Sequence, residues 1–326
     1  MQTRRLGNTD LEFTVIGLGT WAMGGGNWEY SWGPQDDHES IKAIHRALDL
    51  GINWIDTAPA YGLGHAEEIV GRALAGMRDK PFIATKCGLV WDDRGRISAC
   101  LEKASVSAEI DASLKRLGVD RIDLYQVHWP HDEVHLEEGW EAITAAVRAG
   151  KIRYAGVSNF NVDQIRRLQP IHPVASLQPP YSLLAREIES ELLPFCAAER
   201  IGVVVYSPMQ KGLLTGRMTR ERIAQFPPDD HRRRDPQFRE PLLTANLQFA
   251  ECLGKIARKH RRNLAQLAVA WVLRRPEVTS AIVGIRRPSQ LEEIVGASGW
   301  QLADTELHDI DQCLQKRETL AKAQAQ

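Results

Sequence analysis

The amino-acid sequence predicts an α/β fold in which eight parallel strands and their helices close into a single (β/α)8 TIM barrel. Strand-like apolar runs alternate with helix-like amphipathic segments along nearly the whole chain, and eight strand–helix pairs can be counted. The length of 326 residues suffices for one large α/β unit. We therefore expect a single domain over residues 1–326.

Each predicted strand is a short run rich in aliphatic residues, and apolar residues at helical spacing follow it. In the first helix, Ile41, Ile44 and Leu48 share one face, and Gly51 ends the helix. A C-terminal helix is predicted after Asp304. The predicted strands cover residues 15–19, 52–56, 82–86, 122–127, 154–158, 174–178, 202–206 and 280–284.

One long stretch interrupts this alternation after the seventh strand. It runs from Tyr206 to a helix near Asn246 and contains, among others, Gly212, Gly216, Pro227, Pro228, Pro236 and Pro241. Loops of this length are usually functional or disordered. Because the stretch leaves the C-terminal end of a barrel strand, we predict that it forms a flap over a pocket. The alternative is an insertion without a fixed structure.

The composition limits the classes of partner. Charged residues make up 25% of the chain, hydrophobic residues 43%, and the net charge is −1. This balance is typical of a globular protein and favours neither nucleic acid nor an acidic membrane as a partner. The N-terminus has no apolar signal core, and no apolar run reaches membrane-spanning length. No pattern points to a particular oligomeric state.

The five cysteines are odd in number and include no Cys-x-x-Cys pair. Neither a disulfide framework nor a zinc site is predicted from them. This usage fits a reducing cytosol, so we expect a cytoplasmic location.

One motif points away from a barrel. Residues 17–22 read Gly-Leu-Gly-Thr-Trp-Ala after a strand, as in the dinucleotide fingerprint of a Rossmann fold. That fingerprint requires a helix to begin at once, whereas Met23-Gly24-Gly25-Gly26-Asn27 follows. We therefore assign the glycines to a loop at the barrel mouth. Trp21, Trp28 and Trp32 of this loop are candidate walls of a substrate pocket, or simply packed side chains.

Four candidate catalytic residues follow or end predicted strands. Asp56 ends the second strand and Tyr61 follows it, Lys86 ends the third, and His128 follows the fourth. Parallel barrels collect the C-terminal ends of their strands on one face, where their active sites lie. These side chains are therefore expected to share one pocket.

The four residue types suit carbonyl reduction. Asp56 would keep Lys86 charged, and the ammonium group would lower the pKa of Tyr61, so that the phenol can protonate an alkoxide after hydride transfer from a nicotinamide. His128 would hydrogen-bond the carbonyl oxygen. The alternatives are a structural Asp56–Lys86 ion pair beside an unrelated tyrosine, and a buried structural histidine.

At this point the motifs resemble those of the aldo-keto reductase superfamily. The resemblance covers nearly the whole chain, and it is nearest to the bacterial general-stress-type reductases, which share the tryptophan-rich first loop and a Gln-Pro-Pro-Tyr segment. The matching segments are Trp54-Ile55-Asp56-Thr57-Ala58-Pro59-Ala60-Tyr61-Gly62, Ala84-Thr85-Lys86, Gln126-Val127-His128-Trp129-Pro130, Gly156-Val157-Ser158-Asn159-Phe160, Gln178-Pro179-Pro180-Tyr181, Tyr206-Ser207-Pro208 and Gly212-Leu213-Leu214-Thr215-Gly216.

The resemblance implies roles for many residues and NADPH as the cofactor, bound extended across the barrel mouth. Asp56, Tyr61, Lys86 and His128 match the catalytic tetrad, with Tyr61 as general acid. Tyr206 matches the aromatic residue on which the nicotinamide stacks. The other positions implied in cofactor binding are Thr20, Trp21, Ser158, Asn159, Gln178, Ser207, Met209, Lys211, Gly212, Leu213, Gly284, Arg286, Ser289, Gln290 and Glu293.

The segment after strand eight also suits an anion on chemical grounds. Gly284-Ile285-Arg286-Arg287-Pro288-Ser289-Gln290 leads into a helix, and arginine grips phosphate with two N–H groups. The family binds the adenosine 2′-phosphate in this segment. The chain departs from the best-known family pattern, which has a Lys-Ser pair there, and one of Arg286 and Arg287 is expected to be merely solvated.

The leading hypothesis is an NADPH-dependent reductase of small carbonyl compounds. A rival from another class is a regulatory NADPH-binding barrel resembling the potassium-channel beta subunits. A second rival is a lyase that uses Lys86 as a Schiff base, although Asp56 would keep that amine charged and non-nucleophilic.

Overall fold

The structure is a computed structural model and describes residues 1–324. Its strands are β1 (Thr3–Arg5), β2 (Glu12–Thr14), β3 (Ile16–Gly19), β4 (Trp54–Asp56), β5 (Phe82–Cys87), β6 (Leu89–Trp91), β7 (Ile97–Ala99), β8 (Ile122–Val127), β9 (Ile152–Ser158), β10 (Ser176–Gln178), β11 (Gly202–Val205) and β12 (Val278–Gly284). Its helices are α1 (Asp37–Asp49), α2 (His65–Leu74), α3 (Lys103–Leu117), α4 (Leu136–Arg148), α5 (Val162–Leu168), α6 (Leu192–Glu199), α7 (Arg220–Ala224), α8 (Leu242–Lys259), α9 (Leu264–Leu273), α10 (Pro288–Ile294) and α11 (Asp304–Gln324).

Eight parallel strands close into a barrel in the order β10-β11-β12-β3-β4-β5-β8-β9. These are the eight strands that the sequence predicts, so the TIM-barrel prediction is confirmed. The predicted C-terminal helix is α11. Two short antiparallel hairpins, β1–β2 and β6–β7, were not predicted.

Alternation along the strands decides which side chains enter the barrel. Trp54 packs in the small core inside the barrel, whereas Ile55 packs in the large core between the strands and the helices. Asp56, two residues after Trp54, therefore points to the inside at the C-terminal end. The same reasoning places Lys86 two residues after the inward Ala84.

The N-terminal hairpin closes the opposite end of the barrel. Leu6, Leu11 and Phe13 are fully buried against the inner core, and the Phe13 ring stacks on Trp54 with 4.5 Å between ring centroids. The C-terminal end of the strands is thus the only open end of the barrel within residues 1–324. Among these residues, no helix is long and apolar enough to cross a membrane.

The predicted flap occupies residues 207–241 and is not a bare loop. It contains α7 and three short 3-10 helices, at Gln210–Thr215, His231–Arg234 and Pro236–Phe238. Leu213, Met218, Phe226 and Phe238 form a small apolar cluster of its own. The flap is therefore an ordered cover rather than an unstructured insertion.

One cysteine prediction was wrong. Cys252 of α8 and Cys313 of α11 form a disulfide, with 6.0 Å between their Cα atoms. An odd number of cysteines excludes complete pairing but not a single bridge, and helix packing brings these two together across 61 residues of sequence. The cysteine usage therefore no longer supports a reducing compartment.

Candidate active site

A cavity of about 730 Å³ opens at the C-terminal end of the barrel strands. It extends from the tetrad residues Asp56, Tyr61 and His128 to Gln290 and Glu293 of α10. The flap, the loop after β3 and the β6–β7 hairpin surround it. A cavity of this length and volume suits an extended ligand with two chemically distinct ends.

The fully buried Lys86 lies at the base of this cavity in close contact with three groups. Its Nζ donates to both carboxylate oxygens of Asp56 at 2.8 Å and to the Thr57 carbonyl at 2.9 Å. The Tyr61 hydroxyl lies 3.3 Å from the same Nζ. The amine, carboxylate and phenol that the sequence placed after two strands therefore form one hydrogen-bonded unit.

The expected lowering of the Tyr61 pKa is not what this site produces. The close packing around the half-buried phenol raises its pKa well above the usual value near 10, and the charge of Asp56 raises it further. The prediction was wrong because burial of the phenol and the charge of Asp56 outweigh the effect of the ammonium group 3.3 Å away. Tyr61 is consequently a neutral phenol at physiological pH, which is the protonation state that a proton donor needs.

His128 completes the group. Its ring lies edge-on to the Tyr61 ring with 5.7 Å between centroids. Burial first, and then the charge of Lys86, lower the pKa of His128 well below its usual value. A neutral imidazole at this position can donate a hydrogen bond without releasing a charge into the pocket.

The residues that the resemblance assigns to the nicotinamide form a connected network. The Tyr206 hydroxyl donates to Asn159 Oδ1 at 2.8 Å, and Asn159 Nδ2 donates to Ser158 Oγ and to the His128 carbonyl, both at 3.0 Å. Gln178 Nε2 donates to Asp56 Oδ1 at 2.8 Å. The amide-binding candidates and the tetrad are thus hydrogen-bonded to each other at the same end of the cavity.

The start of the flap adopts a run of left-handed backbone conformations at Gln210, Lys211 and Gly212. The Gln210 and Gly212 N–H groups donate to the Ser207 and Met209 carbonyls, at 2.9 and 3.1 Å, so the run forms a tight turn at the start of the flap. Ser207, Met209, Lys211 and Gly212 line the cavity, whereas the Leu213 side chain is buried in the flap cluster. Four of the five cofactor contacts predicted in this segment therefore line the cavity.

Other predicted cofactor contacts lie around the far end of the cavity. Gly284, Arg286, Gln290 and Glu293 line it, and so does Trp21 at the near end, whereas Ser289 is exposed and does not line it. Thr20 is fully buried, and its hydroxyl donates to the Asp56 carbonyl at 3.1 Å, so it supports the tetrad strand rather than the cavity wall.

With this geometry established, the comparisons with known proteins decide the family. The family model described as the Aldo/keto reductase family matches residues 15–315. The chain belongs to the aldo/keto reductase family. Its similarity to the Bacillus subtilis protein named aldo-keto reductase YhdN is 41% identity, covering 97% of this chain and 94% of the relative.

Two further similar proteins have names that state an activity. The NADH-specific methylglyoxal reductase of Escherichia coli is 35% identical, covering 92% of this chain and 94% of that protein. The structure of the glycerol dehydrogenase AKR11B4 from Gluconobacter oxydans superimposes with a TM-score of 0.86 at 39% identity, covering 97% and 96% of the two chains. Aldo/keto reductases are nicotinamide-dependent carbonyl reductases, and these relatives show that the family includes both small-carbonyl and alcohol substrates and an enzyme specific for NADH.

The wall of the cavity in this aldo/keto reductase is strongly aromatic. Trp21, Trp28 and Trp32, the three tryptophans considered at the start, all line it together with Tyr30 and Trp129. Trp21 stacks on Tyr61 with 6.2 Å between centroids. These rings enclose the space next to the tetrad.

The β6–β7 hairpin, which the sequence did not predict, forms the other wall. Leu89, Ile97, Ser98 and Ala99 of the β6–β7 hairpin line the cavity. A turn signal was present, because Asp92-Asp93-Arg94-Gly95 separates the two apolar runs. The arginines at positions 217 and 222 of the flap were also missed, since nothing in a loop sequence shows which side faces a pocket.

Glu109 of α3 supports the start of that hairpin and gives a testable pH dependence. Its carboxylate accepts from the Gly88 backbone N–H at 3.0 Å, and burial raises its pKa from 4.5 to about 7. Between these two values the folded state binds more protons than the unfolded state, so stability must fall as pH rises from about 4.5 to 7.

We expect the loss to reach up to about 3 kcal/mol across that range. Denaturant unfolding at several pH values would measure it. Glu109→Gln should remove this part of the pH dependence and should unfold with a flatter profile. Equal slopes for the wild type and the variant would contradict the assignment.

Proposed function

We propose that the protein is an NADPH-dependent reductase of aldehydes or ketones in which Tyr61 is the proton donor. The observation that supports this most directly is the Tyr61 hydroxyl, which faces the cavity 3.3 Å from an ammonium group that Asp56 holds in place. The aromatic wall beside it favours a small organic carbonyl compound as the substrate.

His128, Tyr61 and Lys86 have different roles in the proposed reduction. When bound, NADPH supplies the hydride that adds to the carbonyl carbon. The neutral His128 donates a hydrogen bond to the carbonyl oxygen and polarises it. Tyr61 then gives its proton to that oxygen, and Lys86 stabilises the resulting phenolate until solvent restores the proton.

The cavity fits the proposed cofactor. The Tyr206 ring and the amide groups of Asn159 and Gln178 lie beside the tetrad, and the left-handed run at 210–212 lies further along. At the far end, Arg217, Arg222 and Arg286 line the cavity. Burial and the charge of Arg232 lower the pKa of Arg286, so an anion there would relieve repulsion. Glu293 also lines this end and pairs with Arg217, so the positive charges of Arg222 and Arg286 remain in excess, which supports NADPH over NADH.

The assay that tests the proposed reaction is NADPH oxidation with an activated aldehyde such as 4-nitrobenzaldehyde, followed by a panel of carbonyl compounds that includes methylglyoxal and glyceraldehyde. Steady turnover that depends on both cofactor and aldehyde is the expected result. NADPH binding without turnover across the panel would instead favour a regulatory barrel.

We expect Arg286→Ala to weaken NADPH binding about tenfold to a hundredfold, since a hydrogen bond to a charged group contributes roughly 1.5–3 kcal/mol. NADH binding should change little, because NADH lacks the 2′-phosphate. Fluorescence titration of both cofactors measures this, and the NADPH loss should shrink at high salt. Equal weakening of the two cofactors would show that Arg286 does not contact the phosphate.

A further inference from the structure

The first loop, residues 25–36, leads from β3 towards α1 and carries part of the substrate wall. Trp28, Tyr30 and Trp32 of this loop line the cavity. Trp28 also lies near the catalytic phenol, with 6.4 Å between its ring centroid and that of Tyr61. The position of this loop therefore decides the shape of the space in which a carbonyl compound would bind.

The first loop is held by Arg286, which comes from the opposite end of the cavity. Arg286 Nε donates to Gln35 Oε1 at 2.7 Å, its Nη2 donates to the Pro34 carbonyl, and its Nη1 contacts the Trp32 carbonyl at 3.4 Å. Gln35 returns the interaction, because its Nε2 donates to the Arg286 carbonyl at 2.9 Å. All three nitrogens of the guanidinium group thus face the loop.

These contacts are unusual for a half-buried cation. Within the described part of the chain, Arg286 forms no salt bridge with a carboxylate, and its partners are one amide oxygen and two backbone carbonyls. Because a charged group forms strong hydrogen bonds, the bonds that Arg286 donates to these neutral oxygens hold the loop in one position. Since Nη1 makes only the long contact, it is the nitrogen most available to an anion in the cavity.

The flap holds the same loop from the other side. The His231 backbone N–H donates to the Ser31 carbonyl at 3.0 Å, and Ser31 Oγ donates to Asp229 Oδ2 at 2.8 Å. The Arg232 guanidinium lies over the Trp32 ring, 4.4 Å from its centroid. Arg286 and the flap are therefore two separate supports for one segment of substrate wall.

We propose that Arg286 is a positioning residue for the substrate wall, which it clamps through Gln35, Trp32 and Pro34, in addition to any contact with the cofactor phosphate. The inference rests on the proposed carbonyl reductase function. The Arg286 side chain would thus connect the adenosine end of the cavity with the substrate end.

The clamp has a kinetic signature that phosphate binding lacks. At saturating NADH there is no 2′-phosphate, so any effect of Arg286 on the aldehyde must pass through the first loop. A loosened wall weakens the binding of substrate and transition state alike, which raises KM and leaves kcat nearly unchanged. A general loss of structure would lower kcat as well.

The test compares Arg286→Ala, Gln35→Leu and the matched control Arg287→Ala at saturating NADH, with 4-nitrobenzaldehyde as the varied substrate. Arg287 is the exposed neighbour of Arg286, and Arg287→Ala removes the same charge from the same segment. We expect KM to rise at least about fivefold in the first two variants, with kcat within about twofold, and to stay at the wild-type value in the control.

Gln35→Leu keeps the test independent of the phosphate site, because Gln35 does not line the cavity and bonds Arg286 only through the clamp. Its other side-chain bonds are to the Asp36 carbonyl and Ser40 Oγ at the start of α1. Unchanged aldehyde KM in both Arg286→Ala and Gln35→Leu would overturn the inference. Equal rises in all three variants would also overturn it, because they would report lost charge rather than a lost clamp.

If the proposed function is wrong, the wild-type protein will show no turnover on the carbonyl panel. In that case, acrylamide quenching of tryptophan fluorescence would measure whether the clamp holds the first loop. Quenching should increase in Arg286→Ala and Gln35→Leu, which release Trp28 and Trp32, and should stay unchanged in Arg287→Ala. Unchanged quenching in all variants would overturn the inference in that case too.

Discussion

Replacing Tyr61 with phenylalanine is expected to lower turnover about 10²-fold or more, the usual scale for the loss of a general acid, and to leave NADPH binding intact. The phenylalanine ring keeps the packing of Tyr61 against Trp21 and His128. Only the hydroxyl that lies 3.3 Å from Lys86 Nζ is lost. The reaction then has no proton donor of suitable position, whereas the cofactor contacts remain.

Single-turnover and steady-state rates with 4-nitrobenzaldehyde, together with a fluorescence titration of NADPH, measure the two halves of this prediction. Tyr154→Phe is a matched control, since the Tyr154 hydroxyl bonds Asp10 on the side of the barrel away from the cavity. It should turn over like the wild type. Turnover of Tyr61→Phe within a few-fold of the wild type would remove Tyr61 from the proton-donor role.

The raised pKa of Tyr61 predicts that turnover is independent of the ionisation of this group in the neutral pH range. A donor whose pKa lies above its usual value stays protonated through the neutral range and loses its proton only in alkaline solution. Reduction by the wild type should therefore not decline between pH 6 and 9 through this group. A decline that disappears in Tyr61→Phe would show that the pKa is lowered after all when the cofactor is bound.

The barrel and the meeting of the tetrad could be predicted because both depend on local pattern. The inward positions on a strand are set by alternation, so Asp56 follows from Trp54 and Lys86 from Ala84. The parallel arrangement then places all strand ends on one face. No knowledge of side-chain contacts is needed for either step.

The features that were missed depend on packing between distant segments. The Cys252–Cys313 bridge requires the relative placement of α8 and α11. The direction of the Tyr61 pKa shift depends first on how tightly the ring is enclosed and then on the charge of Asp56 beside it. The clamp of Arg286 on the first loop joins residues about 250 positions apart, which no spacing rule connects.

Lys86→Met is expected to lower turnover about 10²-fold or more, which in effect abolishes reduction. The proton donor Tyr61 remains in this variant, so the loss has a different cause from that in Tyr61→Phe. Lys86 is fully buried and donates to both oxygens of Asp56. Methionine has a similar shape but no charge, so the phenolate that forms at Tyr61 loses its stabilising cation. An active variant with an unchanged pH profile would contradict this role.

The variant also leaves the Asp56 carboxylate buried, with Gln178 Nε2 as a remaining donor. Breaking a buried ion pair in this way costs about 3–5 kcal/mol, so a loss of stability could be mistaken for a loss of catalysis. The double variant Asp56→Asn with Lys86→Met separates the two effects, because it removes both charges and should recover much of the stability. If Lys86 acts on the phenolate, the double variant remains inactive although it is folded. If it recovers turnover along with stability, Lys86 serves only to hold the site together.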